Sequence, residues 1–250
     1  MRSKISLITL VLFSLTALAM GGDRERYTET REETLAADRD QIWVDGGTNG
    51  GISVIAWDKD QIMVEAKVKT YASDNAAAKD LADEISIHYG DRIHAEGPGS
   101  KKRSGWSVSF TVHVPRESNL KLETHNGGLS IAEVEGTIGF NVLNGGVRLE
   151  GVAGDVQGKT INGGVKVTLT GDSWQGNGLD VETTNGGVVL NMPEHYNTEL
   201  STKTQNGGVH SEFPITVKGK IGRGFNAKIG DGGSPIRLVT VNGGVKVKMI

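Results

Sequence analysis

The sequence predicts an all-β protein: a single-stranded parallel β-helix, or β-solenoid, of about 18–21 residues per turn. A less regular N-terminal β-rich region with one short helix is expected to cap it. Three observations carry this expectation. The triplet Asn-Gly-Gly recurs at Asn49, Asn126, Asn144, Asn162, Asn185, Asn206 and Asn242, with the variant Asp231-Gly232-Gly233. From Asn126 onward the intervals are 18, 18, 23, 21 and 36 residues, the last being two units of 18. The flanks repeat too: Thr124, Val142, Thr160, Thr183, Thr204 and Thr240 stand two before the asparagine, and Leu129, Val147, Val165, Val188, Val209 and Val245 three after it. Finally, 36 of 250 residues are glycine and only 5 are proline, a glycine content about twice the usual ~7%. With no Gly-X-Y period and with Val, Ile and Leu throughout, collagen and simple disorder are excluded.

The N-terminus reads as an address. Met1-Arg2-Ser3-Lys4 is basic, Ile5 to Leu18 is apolar, and Ala17-Leu18-Ala19 offers a cleavage site, so residues 1–19 are expected to be a signal peptide. The apolar run falls short of the ~20 residues a span needs. No transmembrane anchor is therefore expected, and with no cysteine after it a lipoprotein anchor is excluded. Export to the periplasm or cell surface follows.

Residues 20–115 form the expected N-terminal cap. Asn49-Gly50-Gly51 before Ile52-Ser53-Val54 looks like an outlying first turn, and Gln61 to Lys69 alternates as a strand. Ser73 is placed to cap a helix from Asp74 to Glu84. Ile85 to His94 and Trp106 to Val114 read as strands, with a loop from Gly97 to Gly105 between them, and Pro115 marks the boundary.

Residues 116–250 form the expected solenoid. Alternation runs through Leu120, Leu122 and Thr124 and resumes in Val147 and Leu149 or Val165 and Val167. The phase slips by one residue across each Gly-Gly pair, which predicts a corner where glycine supplies φ > 0. A second corner is expected at Gly136 and Gly154. A type I′ hairpin competes for each Asn-Gly, but hairpins do not return one residue to one context every 18 positions. Stacking at ~4.8 Å predicts a ladder of Asn126, Asn144, Asn162, Asn185, Asn206 and Asn242, in the inward phase, with side-chain amides bonded along the axis. About seven turns fit between Leu120 and Ile250. A hexapeptide acyltransferase helix is disfavoured, because steps of six from Ile138 and Phe140 land on Asn144 and Gly146.

Chemistry is sparse. With no cysteine there is no disulfide, Cys-ligated metal or thiol catalysis, and a net charge of −3 leaves no nucleic-acid footprint. His88, His94, His113, His125, His195 and His210 form no helix-spaced pair, so no metal or catalytic role is expected of them. No cofactor is implied. Asp155, Asp172 and Asp180 could gather on one face, as in lyase-like carbohydrate-active solenoids.

The strings Val112-His113-Val114-Pro115, Leu120-Lys121-Leu122-Glu123-Thr124-His125-Asn126-Gly127-Gly128 and Ile229-Gly230-Asp231-Gly232-Gly233 resemble the DUF4097 family of adhesin-like proteins. That resemblance, from about Asp40 to Ile250, implies a β-solenoid in an exported or envelope protein and brings no catalytic residues. A non-catalytic binding or structural module is thus the expected function, with surface polysaccharide or an envelope protein as partner. A solenoid lyase and an envelope sensor are the alternatives. The 23-residue turn inserts Gly171 to Gly178, whose Trp174, Asp172, Gln175 and Asn177 are candidate ligand contacts, unless Trp174 folds back as a lid. Val245 to Ile250 reads as an open last edge guarded by Lys246 and Lys248, consistent with a monomer.

Overall fold

The computed structural model describes residues 24–99, 101–214 and 222–250. The signal peptide expected over residues 1–19 lies outside the described residues. Strands β1 (Glu25–Ala36), β2 (Ile42–Asp45), β3 (Ile52–Trp57) and β4 (Gln61–Ala72) precede the helix α1 (Asn75–Asp83). After it come β5 (Ser86–Tyr89), β6 (Arg92–Glu96) and β7 (Gly105–Pro115). The chain then lays down strands in pairs, one on each side of every Gly-Gly. These are β8 (Leu120–Asn126) with β9 (Leu129–Ala132), β10 (Glu135–Asn144) with β11 (Val147–Glu150), and β12 (Ala153–Asn162) with β13 (Val165–Thr168). Next are β14 (Gly178–Asn185) with β15 (Val188–Met192) and β16 (Thr198–Asn206) with β17 (Val209–Ser211). Strand β18 (Gly224–Ile229) separates these from the last pair, β19 (Pro235–Asn242) and β20 (Val245–Met249).

All strands fall into two mixed ten-stranded sheets. Sheet one runs β1-β4-β7-β3-β9-β11-β13-β15-β20-β17, and sheet two runs β18-β16-β19-β14-β12-β10-β8-β2-β6-β5. The first strand of each pair lies in sheet two and the second in sheet one. Pairing is parallel and keeps equivalent residues in register: Asn126, Asn144, Asn162 and Asn185 align in sheet two, and Leu129, Val147, Val165 and Val188 in sheet one. The core lies between the inner faces, where Ile138, Val142, Val156 and Val181 meet Leu149, Val167, Leu190 and Val247, all buried. Each such side chain contributes about 1.5–3 kcal/mol. Phe140 pairs with Gly158, and a Cβ at Gly158 would run into the Phe140 ring.

The stacking order corrects the sequence reading. The pair β19/β20 is inserted between β14/β15 and β16/β17, so the 36-residue interval is not two units stacked in succession. Six pairs, not seven, lie beyond Leu120. Strand β20 bonds β15 on one side and β17 on the other, so Lys246 and Lys248 guard no edge. The N-terminal end is interleaved likewise: β6 and β7 stack outside β2 and β3, while β8 and β9 stack inside them. Both sheets therefore pass through Pro115 without a break.

Smaller differences have local causes. The Ile85–His94 stretch is not one strand but the β5–β6 hairpin. Helix α1 is capped by Asp74, whose carboxylate accepts from the Ala77 N–H at 2.8 Å, and Ser73 instead donates to Asp74. That backbone bond holds the Asp74 carboxyl below its ordinary range. Strand β1, mostly polar, pairs antiparallel with β4, and its Arg31 donates to the Ala82 carbonyl at 2.8 Å and the Ile85 carbonyl at 2.5 Å at the end of α1.

Candidate functional site

Each Asn-Gly-Gly corner is a small hydrogen-bond machine. The asparagine amides form one row, each Nδ2 donating to the Oδ1 of its neighbour: Asn126 to Asn49 at 3.2 Å, Asn144 to Asn126 and Asn162 to Asn144 at 2.7 Å. The row goes on with Asn185 to Asn162, Asn242 to Asn185 and Asn206 to Asn242 at 2.8 Å. The amides point one way along the stack, an arrangement in which hydrogen bonds polarise one another. All of these asparagines are exposed, not inward-facing. The residue that does turn inward is the threonine two positions earlier. Thr160, Thr183, Thr240 and Thr204 donate at 2.7–2.9 Å to the first-glycine carbonyls of the adjacent repeats, Gly145, Gly163, Gly186 and Gly243.

The two glycines have different duties, and neither is the predicted left-handed φ. Positive φ occurs at the other corner, at Gly136, Gly154 and Gly176, and in the variant Gly232-Gly233, but at no glycine of the seven Asn-Gly-Gly triplets. The first glycine is required by close approach: a Cβ at Gly145, Gly163, Gly186 or Gly243 would lie well inside 3.0 Å of the preceding glycine's carbonyl oxygen. At the second glycine a Cβ meets less; at Gly146 it would sit 3.6 Å from the Gly164 oxygen. The exposed second glycines Gly128, Gly146, Gly164 and Gly187 thus floor an open trough of about 800 Å³ that runs across the repeats on the outer face of sheet one.

Polar groups line this trough. Among the described residues no protein group accepts from the N–H of Gly128, Gly146, Gly164 or Gly187. At the outlying repeat the equivalent Gly51 N–H donates to the Ser109 hydroxyl at 3.3 Å. Beside the floor, one row of sheet one carries Ser130, Arg148 and Lys166, then Val189, Lys246 and His210 in register. None of Arg148, Lys166 and Lys246 forms an ion pair among the described residues.

The outer face of sheet two is built differently. Two of its cations are paired: Arg237 bonds Asp180 and Glu182 at 2.6 Å, with the Glu182 hydrogen bond foremost in holding its guanidinium protonated, and Lys121 lies 3.6 Å from Glu123. Lys121 also sits 3.6 Å over the Trp43 ring.

Other predicted site residues are dispersed. Trp174 is 5% exposed and its indole donates to the Gly154 carbonyl at 3.0 Å. The ring closes the Gly136–Gly154 corner as a lid, which corrects its reading as a ligand contact: a sealed ring offers no face to stack on. Asp172, Gln175 and Asn177 are exposed around it. Asp172 stabilises the same loop, its carbonyl accepting from the Asn197 backbone at 2.7 Å, and burial raises the neighbouring Tyr196 hydroxyl pKa. Asp155, Asp172 and Asp180 form no ligand cluster among the described residues. Asp180 is taken by Arg237, Asp155 accepts from Gln157 at 3.3 Å, and Asp172 accepts from Ser173 at 3.1 Å. Sequence reasoning missed the Arg148–Lys166–Lys246 row, although the signal was present: each lies one residue past the repeated valine.

The repeat scaffold thus presents one long, open face on sheet one. The chain belongs to the Toastrack DUF4097 family, whose model matches residues 29–248. No curated protein matches it. Among solved structures it is similar to a candidate cell adhesion protein from Clostridium sporogenes, at 12% identity over 90% of this chain and 100% of that one, with a TM-score of 0.48. It is also similar to a candidate adhesin from Bacteroides fragilis, at 13% identity over 90% and 97%, TM-score 0.32. A candidate lipid binding protein from Parabacteroides distasonis matches at 11% identity over 88% and 96%, TM-score 0.35. No helix among the described residues is long and apolar enough to cross a membrane.

Proposed function

We propose that this protein is an exported, adhesin-like binding module of the bacterial cell envelope, a parallel β-solenoid that holds an extended acidic polysaccharide along its glycine trough. The observation that carries this is the unpaired Arg148–Lys166–Lys246 row running beside glycines whose N–H groups have no acceptor. A uronate-bearing polymer supplies both complements: hydroxyls to take the place Ser109 holds at Gly51, and carboxylates for the cations. Its repeat along the stack meets an equivalent glycine N–H at each ~4.8 Å step. Export rests on the N-terminal segment 1–19, which we take to be cleaved. We further infer a monomer, because three of the four outermost strands are poor templates: β5 and β17 are short, and β1 is dense in charge.

The test is retention on immobilised alginate against neutral dextran. Wild type should be held by alginate and released by salt. The triple variant Arg148→Ala, Lys166→Ala, Lys246→Ala should bind about tenfold more weakly, at roughly 0.5 kcal/mol per exposed cation, with an unchanged melting temperature. Equal retention of the triple variant would place the polymer elsewhere.

A further inference from the structure

The six histidines make no sequence motif, yet the β5–β6 hairpin brings two of them together. In the antiparallel register His88 lies opposite His94, and Ser86 opposite Glu96. Period two puts His94 and Glu96 on one face of β6. The imidazoles stack with centroids 4.8 Å apart and planes 18° from parallel. Both Nε2 atoms face the same carboxylate: His88 Nε2 is 3.4 Å from Glu96 Oε2, and His94 Nε2 is 3.2 Å from Glu96 Oε1. All three ligand atoms lie within 4.8 Å of one another. We propose that His88, His94 and Glu96 form a site for a transition-metal dication of the zinc class, clasping the edge strand β5 to β6.

The nitrogen–oxygen distances fit the ion. Tetrahedral zinc with bonds of about 2.0–2.1 Å keeps adjacent ligand atoms about 3.3 Å apart, the separation found here between each nitrogen and its oxygen. The tautomer fits as well. His94 Nδ1 is 3.1 Å from the Arg92 carbonyl, which can only accept, so Nδ1 carries the proton and a neutral ring turns its Nε2 lone pair toward Glu96. A backbone carbonyl on the far ring nitrogen is the usual outer-shell support of a metal-bound histidine. A lone pair facing a carboxylate calls for a cation between them, which a metal ion supplies. Two nitrogens and one oxygen suit zinc, copper or nickel, whereas calcium and magnesium want oxygen throughout. The neighbouring cation does not occupy the site, because Arg92 turns to β2, where it meets Asp45 at 3.4 Å and lies over Trp43. The trio is partly exposed, which leaves the remaining coordination position to water or to a donor from another molecule.

The site matters mechanically because, among the described residues, β6 is the one strand that pairs with β5. A metal bridging His88 to His94 and Glu96 cross-links that last pair and should raise stability in proportion to its binding. The experiment is zinc titration of the untagged protein by calorimetry at pH 7.5, with thermal melts alongside and calcium as the control ion. Wild type should take up one zinc per chain, melt higher with zinc, and ignore calcium. His88→Ala and His94→Ala should each weaken uptake by at least about tenfold, and the near-isosteric Glu96→Gln by about tenfold, while His195→Ala, an exposed histidine elsewhere, changes nothing. Cobalt in place of zinc should give the visible absorption of a tetrahedral site, lost in Glu96→Gln. No uptake by wild type, or uptake unaltered in Glu96→Gln and the His88→Ala, His94→Ala double variant, would overturn the assignment. In that case the trio is a protonation-dependent surface ion pair.

Discussion

The middle of the stack and its two ends obey different rules. From β8 to β15 each repeat lies on its sequence neighbour, in register and parallel. At the ends order is broken: β2/β3 is held between β6/β7 and β8/β9, and β19/β20 between β14/β15 and β16/β17. Antiparallel strands β1, β4, β5 and β18 then close the sheets. Repetition thus specifies how two repeats fit but not which two will meet. Middle repeats bury their faces as the chain advances, whereas the terminal ones depend on a segment distant in sequence.

The largest expected effect tests this difference by excision. Deleting Pro235–Ile250 removes Ile236, Leu238, Val245 and Val247, all fully buried, at about 1.5–3 kcal/mol each. It also strands β16 and β17 without their parallel neighbours, so amide exchange protection should vanish through β18 and not merely at the cut. Deleting Gly145–Asn162, one 18-residue period, removes a comparable length but lets Asn144 continue into Gly163 in register. That variant should stay folded with one cooperative transition. Equal damage from both cuts would mean the ends are no different from the middle.

Within a repeat, the next contrast is between the paired glycines. Gly145→Ala forces a Cβ against the Gly127 backbone and should lower stability by about 3 kcal/mol. Gly146→Ala, with its Cβ 3.6 Å from the Gly164 oxygen, should cost less than about 1 kcal/mol while narrowing the trough. Urea midpoints distinguish them, and a reversed order would remove close approach as the reason for the first glycine.

These corners also show what was legible. Spacing and flanks sufficed to place Asn126, Asn144 and Asn162 in one row, because a parallel stack with a fixed period admits one register. The duty of each glycine was not legible, since φ and close approach leave the same residue in the sequence. Nor was the order of repeats: β15 and β20 present equivalent valines, and only the filled gap reveals their adjacency. Strand β1 was missed because charged and threonine residues dominate both its faces, and the β5–β6 hairpin because Gly90-Asp91 interrupts a run that otherwise alternates. The cationic row of sheet one escaped for a related reason. Lysine and arginine on an outward strand position read as ordinary solubility until the ion pairs can be checked.

A smaller effect is expected from the amide row. Asn162→Leu removes the bonds to Asn144 and from Asn185, but both lie in solvent, so stability should fall by about 1 kcal/mol. Because Asn162 does not adopt positive φ, Asn162→Gly should not rescue it. Full stability of Asn162→Gly would show that the row is decoration.

The smallest effect concerns the one repeat that departs from its neighbours. Thr124, Thr160, Thr183, Thr204 and Thr240 each donate to a first-glycine carbonyl of the adjacent repeat. Val142 occupies the same position in β10, pairing with both Thr124 and Thr160, and is fully buried. The carbonyl it faces by register is that of Gly127, which therefore lacks the hydroxyl its counterparts receive. Val142→Thr should supply it, offsetting the removal of one buried methyl group, for a net change within about 1 kcal/mol and on the stabilising side. The same substitution at Val156, where no free glycine carbonyl waits, should destabilise by about 1–3 kcal/mol. The sign at position 142 is the informative readout. Destabilisation equal to that at Val156 would mean that the threonine hydroxyls merely tolerate their burial and contribute nothing to holding one repeat on the next.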